Sequence, residues 1–479
     1  VISFTDSIPW VSIFFKALRG VLPSTFQWFG WYTLFCFAMQ GAAGALLCAR
    51  GQAKTGAGAL VFSTLGGLLF VMLPTLWERA FRHTALASQW LFLLALYAFL
   101  EYRQNLHSGT AKFPWAMPVL AFLAVGIHPY FLPLVMMCAL LAAVELGRQK
   151  KAWGRAALQF AASLAAVVVG GVLCGAIGSG TGASRSGYGD YSMNLNALIN
   201  PTSRGGYTWS RLYQVMPQQP GQYDGFNYLG LGVLALITAA LFSLRRAVRC
   251  PQNTKTWWHR NGPVFAACVF LTLFAVSNKI YWGNTGIELP LPAKLLELCG
   301  IFRSSGRMFY LVAVCMVVYA VYTLRDRLPG RYAVLVLALF VGVQAFDLSA
   351  AAQQKRQKFA DPINATVVNN DQTASLGAGH TQLLAAGEVR EDRLRLLAIL
   401  AGKQGLATNL DIAVSGSHPA AEASRADTAA RLAAGQYDPT AVYVTTDGAT
   451  WENWQAVFAG DDSLNFFVAD SCYFMVPAV

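Results

Sequence analysis

Long apolar blocks, not short alternations, dominate the first three quarters of the chain. A membrane-crossing helix needs about 20 predominantly apolar residues. Runs of that kind recur at 26–49, 57–77, 84–101, 155–176, 228–244, 262–278, 306–324 and 331–349. A further long block, 113–146, is interrupted by His128-Pro129-Tyr130, with Pro133 close behind. Proline removes a backbone donor and disfavours helix in the residue before it, so the block predicts two helices meeting near His128. The pattern predicts an α-helical polytopic membrane protein with about ten transmembrane helices.

From Asp361 the apolar runs shorten and change period. Helices are expected near Leu394–Gly405 and Ala426–Gly435, and strands near Ala441–Thr445 and Phe466–Val468. The chain therefore reads as a membrane domain, 1–349, followed by a small α/β domain, 350–479, outside the membrane.

Composition agrees: 55% of residues are apolar and 13% charged. The net charge of +12 would suit nucleic acid if it were spread over a soluble surface, but residues 1–349 hold 27 Lys and Arg against 10 Asp and Glu, and residues 350–479 hold 9 against 14. The excess sits in short loops of the membrane half, which argues against a nucleic-acid partner. Those loops alternate. Arg50 and Lys54, Arg103 and Lys112, Arg148 to Arg155, Arg245 to Arg260, and Arg325 to Arg331 fall on one side. Basic loops face the cytoplasm, so the loops at 1–25, 78–83, 177–227 and 279–305, and everything after 349, are expected outside. The nine cysteines form no C-x-x-C pattern and lie mostly in apolar runs, as small core residues do. The chain opens at Val1 without a charged leader, which suggests a preceding segment.

Several ionisable residues fall on the expected outer side. Asp6 precedes Ile8-Pro9-Trp10; it either acts as a base on an acceptor hydroxyl or caps a juxtamembrane helix. Glu78, Arg79, Arg82 and His83 crowd into six residues between two spans, as site residues or as snorkelling charges. His128 lies at the proline break, where a cavity lining or a carbonyl-bonded structural role both fit. Gly178 to Gly182 lacks the Lys-Ser/Thr of a phosphate loop and follows no strand, which excludes nucleotide binding of that type. Tyr223 and Asp224, within Gly221 to Gly230, mix polar and aromatic character as sugar sites do, and as interfacial turns also do. Arg303 and Arg307 flank Ser304-Ser305-Gly306 just before a span, with Lys279 at the other end of the same loop. Their planar donor forks suit a phosphate, or equally lipid headgroups.

Taken together, Phe4-Thr5-Asp6-Ser7-Ile8-Pro9-Trp10, His128-Pro129-Tyr130, the Gly221 to Gly230 stretch and Phe302 to Phe309 resemble the GT-C superfamily of membrane glycosyltransferases, within a little-characterised bacterial family. The resemblance implies a GT-C-like bundle in the bacterial inner membrane with a periplasmic C-terminal domain. It implies sugar transfer from a polyprenyl-phosphate donor to a glycan or lipid-linked acceptor at the outer face. By that analogy Asp6 is the catalytic base and Glu78 a second catalytic acid, and Arg79, His83, His128, Tyr223, Asp224, Lys279, Arg303 and Arg307 bind substrate. Many members carry a paired acid in the first loop. Here Thr5 precedes a lone Asp6, so a divalent metal is unsupported and no cofactor is assigned. A transporter or flippase for a lipid-linked glycan, and a non-enzymatic envelope assembly protein, are the competing expectations.

Overall fold

The computed structural model describes residues 7–23, 26–52, 56–177, 187–202, 209–247, 251–360, 367–411 and 419–478. The chain divides into two compact units, residues 1–357 and 358–479.

The first unit is helical. It comprises α1 (Pro9–Ala17), α2 (Phe29–Ala49), α3 (Ala57–Val71), α4 (Pro74–Ala80), α5 (Trp90–Ser108), α6 (Ala116–Ile127), α7 (Phe131–Lys150), α8 (Trp153–Leu173), α9 (Leu231–Ala247), α10 (Pro251–Val276), α11 (Ala293–Gly300), α12 (Phe309–Arg327), α13 (Gly330–Asp347) and α14 (Ser349–Ala360). Between α10 and α11 a hairpin, β1 (Lys279–Trp282) with β2 (Thr285–Glu288), pairs antiparallel.

Among the described residues seven helices are long and apolar enough to cross a membrane, eight if α3 and α4 count as one element bent by 53°. Each of the ten expected spans carries helix, but α6 and the apolar part of α9 are shorter than a full span. Twelve helical residues reach only ~18 Å. The outward faces are apolar: in α10 and α13 only 17% and 22% of the most apolar window is buried, and Leu273, Leu335 and Leu339 lie bare. Such a surface is stable in lipid and not in water. The chain is a polytopic helical membrane protein.

The proline break falls where the sequence puts it. α6 stops at Ile127, His128 is extended (φ −161°, ψ 128°) as a residue before proline prefers, and α7 restarts at Phe131.

Contacts sort the helix termini into two groups. At one, Arg50 pairs with Glu101 (2.7 Å) and reaches Gln104, Arg325 donates to the Arg50 carbonyl, Arg103 to Arg260 and Asn261, and Arg148 to the His259 carbonyl. These are the basic loops of the sequence pattern. At the other, the α4 terminus, the Gly221–Gly230 stretch, the α6–α7 break, the start of α12 and the ends of α10 and α13 bond to one another, as described below.

The second unit holds β3 (Gln382–Ala385), α15 (Glu391–Gln404), β4 (Ala407–Thr408), α16 (Pro419–Ala433), β5 (Ala441–Thr445), α17 (Gly448–Val457), β6 (Leu464–Ala469) and β7 (Cys472–Pro477). The sheet order is β4-β3-β5-β7-β6, with β3 parallel to β4 and β5, and β7 antiparallel to β5 and β6. The chain leaves β3 to one side and returns to the other, so the two crossovers cover opposite faces. Leu397 and Leu400 of α15 accordingly pack with Leu383, Val442 and Phe474, whereas Leu432 of α16 and Trp454 of α17 pack with Tyr443 and Met475. The α/β domain is as expected in class, and β5 in its bounds. β3, β4, β7 and α17 were not anticipated.

Candidate functional site

Two tight turns build the second group of helix termini. One, Gln222–Gly225, follows Gly221, whose φ of 90° favours glycine. The other, Ser305–Met308, leads into α12. They touch through glycine backbone: a Cβ on Gly306 would lie 2.5 Å from the Gly225 Cα, and one on Gly225 would lie 2.1 Å from the Ser192 carbonyl oxygen. Asn227 locks the approach, its Nδ2 donating to the carbonyls of both glycines at 3.0 Å.

That contact sets Asp224 between two guanidinium groups. Arg79 Nη1 donates to Asp224 Oδ1 at 2.6 Å and Arg307 Nη2 to Oδ2 at 2.7 Å, with all three side chains buried. Arg79 spends its remaining donors inside the protein, Nη2 on the Asp224 carbonyl (2.7 Å) and Nε on Tyr310 Oη (3.0 Å). Burial alone would raise the Asp224 pKa. Arg307 and then Arg79 outweigh it, and the carboxyl is held well below the usual carboxylate range.

Around this core the cations rest on aromatic faces. The Arg307 guanidinium lies 4.5 Å over Tyr130, whose Oη accepts the Ser304 backbone N–H at 2.9 Å. Arg303 lies 5.5 Å over Tyr191, and Arg82 5.9 Å over Tyr223. The two tyrosines meet edge to face at 6.1 Å. Arg82 is paired with Glu78, one helical turn away. Lys279 pairs with Asp190 at 2.7 Å, and that bond raises its pKa.

The structure thus joins Glu78, Arg79, Tyr223, Asp224, Arg303 and Arg307, residues up to 229 positions apart, through direct or tyrosine-mediated contacts. His128 belongs to the same region: its Nδ1 accepts the Tyr130 N–H (3.2 Å), and its ring lies 5.5 Å from the Tyr130 ring. His83 donates its backbone N–H to the Arg79 carbonyl (2.8 Å). Asp6 lies outside the described residues. Its near neighbour Trp10 stacks on Phe122 at 4.5 Å and fits against Gly126, two residues before His128.

The geometry separates residues that the sequence treats alike. Arg79 is committed to the fold, and Asp224 is its counter-ion. Arg307 is half committed, since its buried Nε has no hydrogen-bond partner among the described residues. Arg303 is half-buried on Tyr191, with no acid at ion-pair distance among the described residues.

Sequence reasoning missed a second polar centre. Asp347, fully buried, accepts from Tyr228 Oη (2.6 Å), the Leu231 N–H (3.0 Å) and Ser210 Oγ. Gln344, one turn earlier, donates to the Leu229 and Met72 carbonyls and accepts the Val233 N–H, stitching the α3–α4 break to α9. An acid ending an apolar span was the available signal. Among the described residues no group of three or more His, Cys, Asp or Glu side chains is placed to hold a metal.

Residues 1–349 match the family model described as Domain of unknown function (DUF6311), and residues 372–477 match the DUF6311 C-terminal domain. No curated protein and no solved structure matches the chain. The first match covers well over half of the sequence, so the chain belongs to the DUF6311 family.

Proposed function

We propose that this DUF6311 protein is a membrane glycosyltransferase of GT-C type that crosses the bacterial inner membrane ten times. It moves a sugar from a polyprenyl-phosphate donor to a glycan or lipid-linked acceptor at the outer face, and its C-terminal domain lies in the periplasm. The observation that carries this reading is the uncommitted cationic charge at one end of an apolar bundle. Among the described residues five cations (Arg79, Arg82, Lys279, Arg303, Arg307) find three carboxylates at ion-pair distance (Glu78, Asp190, Asp224), a surplus of two. The surplus sits on Arg303 and Arg307, backed by tyrosine rings that keep the guanidinium forks flat and oriented.

A phosphate with a long hydrocarbon tail is the anion such a place suits. An apolar groove of about 480 Å³ between α10 and α12, lined by Phe265, Leu273, Val312 and Tyr319 among others, starts within two helical turns of Arg307 and gives a chain somewhere to lie. In the reaction the acceptor oxygen bonds to the anomeric carbon and the bond from that carbon to the phosphate oxygen breaks. The polyprenyl phosphate leaves with its electron pair, stabilised by Arg303 and Arg307, and the acceptor proton passes to Asp6.

The test uses proteoliposomes containing a polyprenyl-phosphate-linked radiolabelled sugar. Arg303→Ala is expected to lower glycoside formation at least tenfold with unchanged thermal stability, and Asp6→Asn to abolish it. Full transfer by Asp6→Asn would refute the reading. Passage of labelled lipid across the bilayer without glycoside would replace it with transport.

A further inference from the structure

We infer that the C-terminal unit carries a binding site for a neutral carbohydrate chain along the edge where its parallel strands end, centred on Trp451 and the loop after β5. The inference stands on the second unit alone and does not depend on sugar transfer by the first.

Topology picks out the edge. In an open α/β sheet whose connections leave a central strand toward opposite sides, the loops after the two strands at the reversal diverge to opposite faces and leave a crevice between them. Here the reversal falls between β3 and β5. The loop after β3 runs Ala386-Gly387-Glu388-Val389-Arg390, and the loop after β5 is Thr446-Asp447. They bridge, the Arg390 N–H donating to Thr446 Oγ1 at 3.0 Å. Tyr473 of β7 is paired with Thr445 and so lies at the same edge, as does the β6–β7 turn at Asp470 and Ser471.

Chemistry excludes the ligands this topology usually serves. A phosphate needs free amides at a helix N-terminus and local positive charge. The first turn of α15 instead carries Glu391 and Asp392, and at α17 the Asp447 carboxylate already accepts the Thr450 N–H (2.9 Å). Among the described residues six carboxylates (Glu388, Glu391, Asp392, Asp411, Asp447, Asp470) stand against three arginines, Arg390, Arg393 and, from the second turn of α16, Arg425, which donates to the Asn409 carbonyl. An anionic ligand would be repelled. A cation is no better served, because these acids do not converge.

A polyol remains, and its two requirements are present. Sugar rings need a flat apolar face, and Trp451 is half-buried with its ring propped at 5.4 Å by both Tyr473 and Phe466. Hydroxyl pairs need planar acceptors and donors held in place. Arg393, tied to Asp470 (3.0 Å) and to its carbonyl (2.8 Å), and buried Asn409, whose amide is spent on both polar groups of Ala385, stiffen the frame. The groups open to a ligand are Glu388 and Arg390, both exposed in the loop after β3. The edge is rigid before any ligand arrives, which lowers the entropic cost of binding.

The test is fluorescence anisotropy with the full chain in nanodiscs. The probes are end-labelled hexasaccharides from neutral bacterial surface glycans, with polyuronate hexamers as the anionic counterpart. Saturable binding of at least one neutral probe is expected, weakened at least tenfold by Trp451→Ala, largely retained in Trp451→Phe, and weakened several-fold by Glu388→Ala, whose exposed side chain supports no core. Arg303→Ala should leave it unchanged, which separates this site from the transfer site. Absence of binding to every neutral probe, preference for the polyuronates, or equal binding by Trp451→Ala and Glu388→Ala would each overturn the inference.

Discussion

Asp224→Asn tests whether the arginine–aspartate–arginine core holds the two turns together. The carboxylate accepts one bond from each guanidinium, at 2.6 and 2.7 Å, and the three side chains are 0%, 6% and 10% exposed. The asparagine amide is isosteric but supplies one acceptor oxygen and no charge, so Arg79 and Arg307 are left as buried like charges. Removing one partner of a buried ion pair costs ~3–5 kcal/mol. Asp190→Asn is the internal control, because its pair with Lys279 is 31% and 49% exposed; such pairs contribute ~0–1 kcal/mol. The assay is reversible unfolding in mixed micelles, followed by circular dichroism.

The pH dependence has a definite sign. The folded-state pKa of Asp224 is depressed, so its contribution is fully present above the unfolded value of about 3.9 and is lost only as pH falls through the lower folded value. The gap between wild type and Asp224→Asn should therefore be flat from about pH 8 to pH 5. A destabilisation no larger than that of Asp190→Asn, or a gap that closes within that range, would refute the ion-triad argument.

Two more substitutions probe the scaffold. Gly306→Ala forces a Cβ to 2.5 Å from the Gly225 backbone, which cannot rotate away, and should cost ~1–3 kcal/mol in the same assay; Gly342→Ala, with open space around it, should be neutral or slightly stabilising. Asp347→Asn leaves at least one of the three donors from Tyr228, Leu231 and Ser210 poorly matched, and should lower stability by ~1–3 kcal/mol, read as a shifted midpoint.

What the sequence made legible follows from the range of each effect. Apolar length and proline act locally, so the helices and the break at His128 could be read directly. Loop charge is nearly as local, and the basic loops do bond to one another. The pairing inside the site was not legible. Glu78, Arg79 and Arg82 fall within five consecutive positions and look equivalent, yet Arg79 turns inward to Asp224, 145 residues away, while Arg82 folds back on Glu78. Nothing in a one-dimensional pattern distinguishes a counter-ion from a ligand contact. In the C-terminal unit the two-residue edge strand β4 is too short to carry a period, and β7 is buried or half-buried at every position and does not alternate.

The division of labour among the arginines bears on how any activity measurement should be interpreted. A guanidinium whose three nitrogens each donate inside the protein cannot meet a substrate through those hydrogens without giving up the bonds, and at Arg79 that would leave Asp224 with Arg307 as its remaining ion-pair partner. Loss of activity on replacing Arg79 would therefore report folding. Arg303 differs: stacked on Tyr191 and with no acid at ion-pair distance among the described residues, it adds charge without closing a network. Arg307 sits between the two, one donor on Asp224 and a buried Nε still to be satisfied. That Nε is buried, so a ligand oxygen reaches it only where the packing around Arg307 opens, whereas Arg303 is half-buried at the surface of Tyr191. Arg303 is consequently the position at which chemistry and stability separate most cleanly.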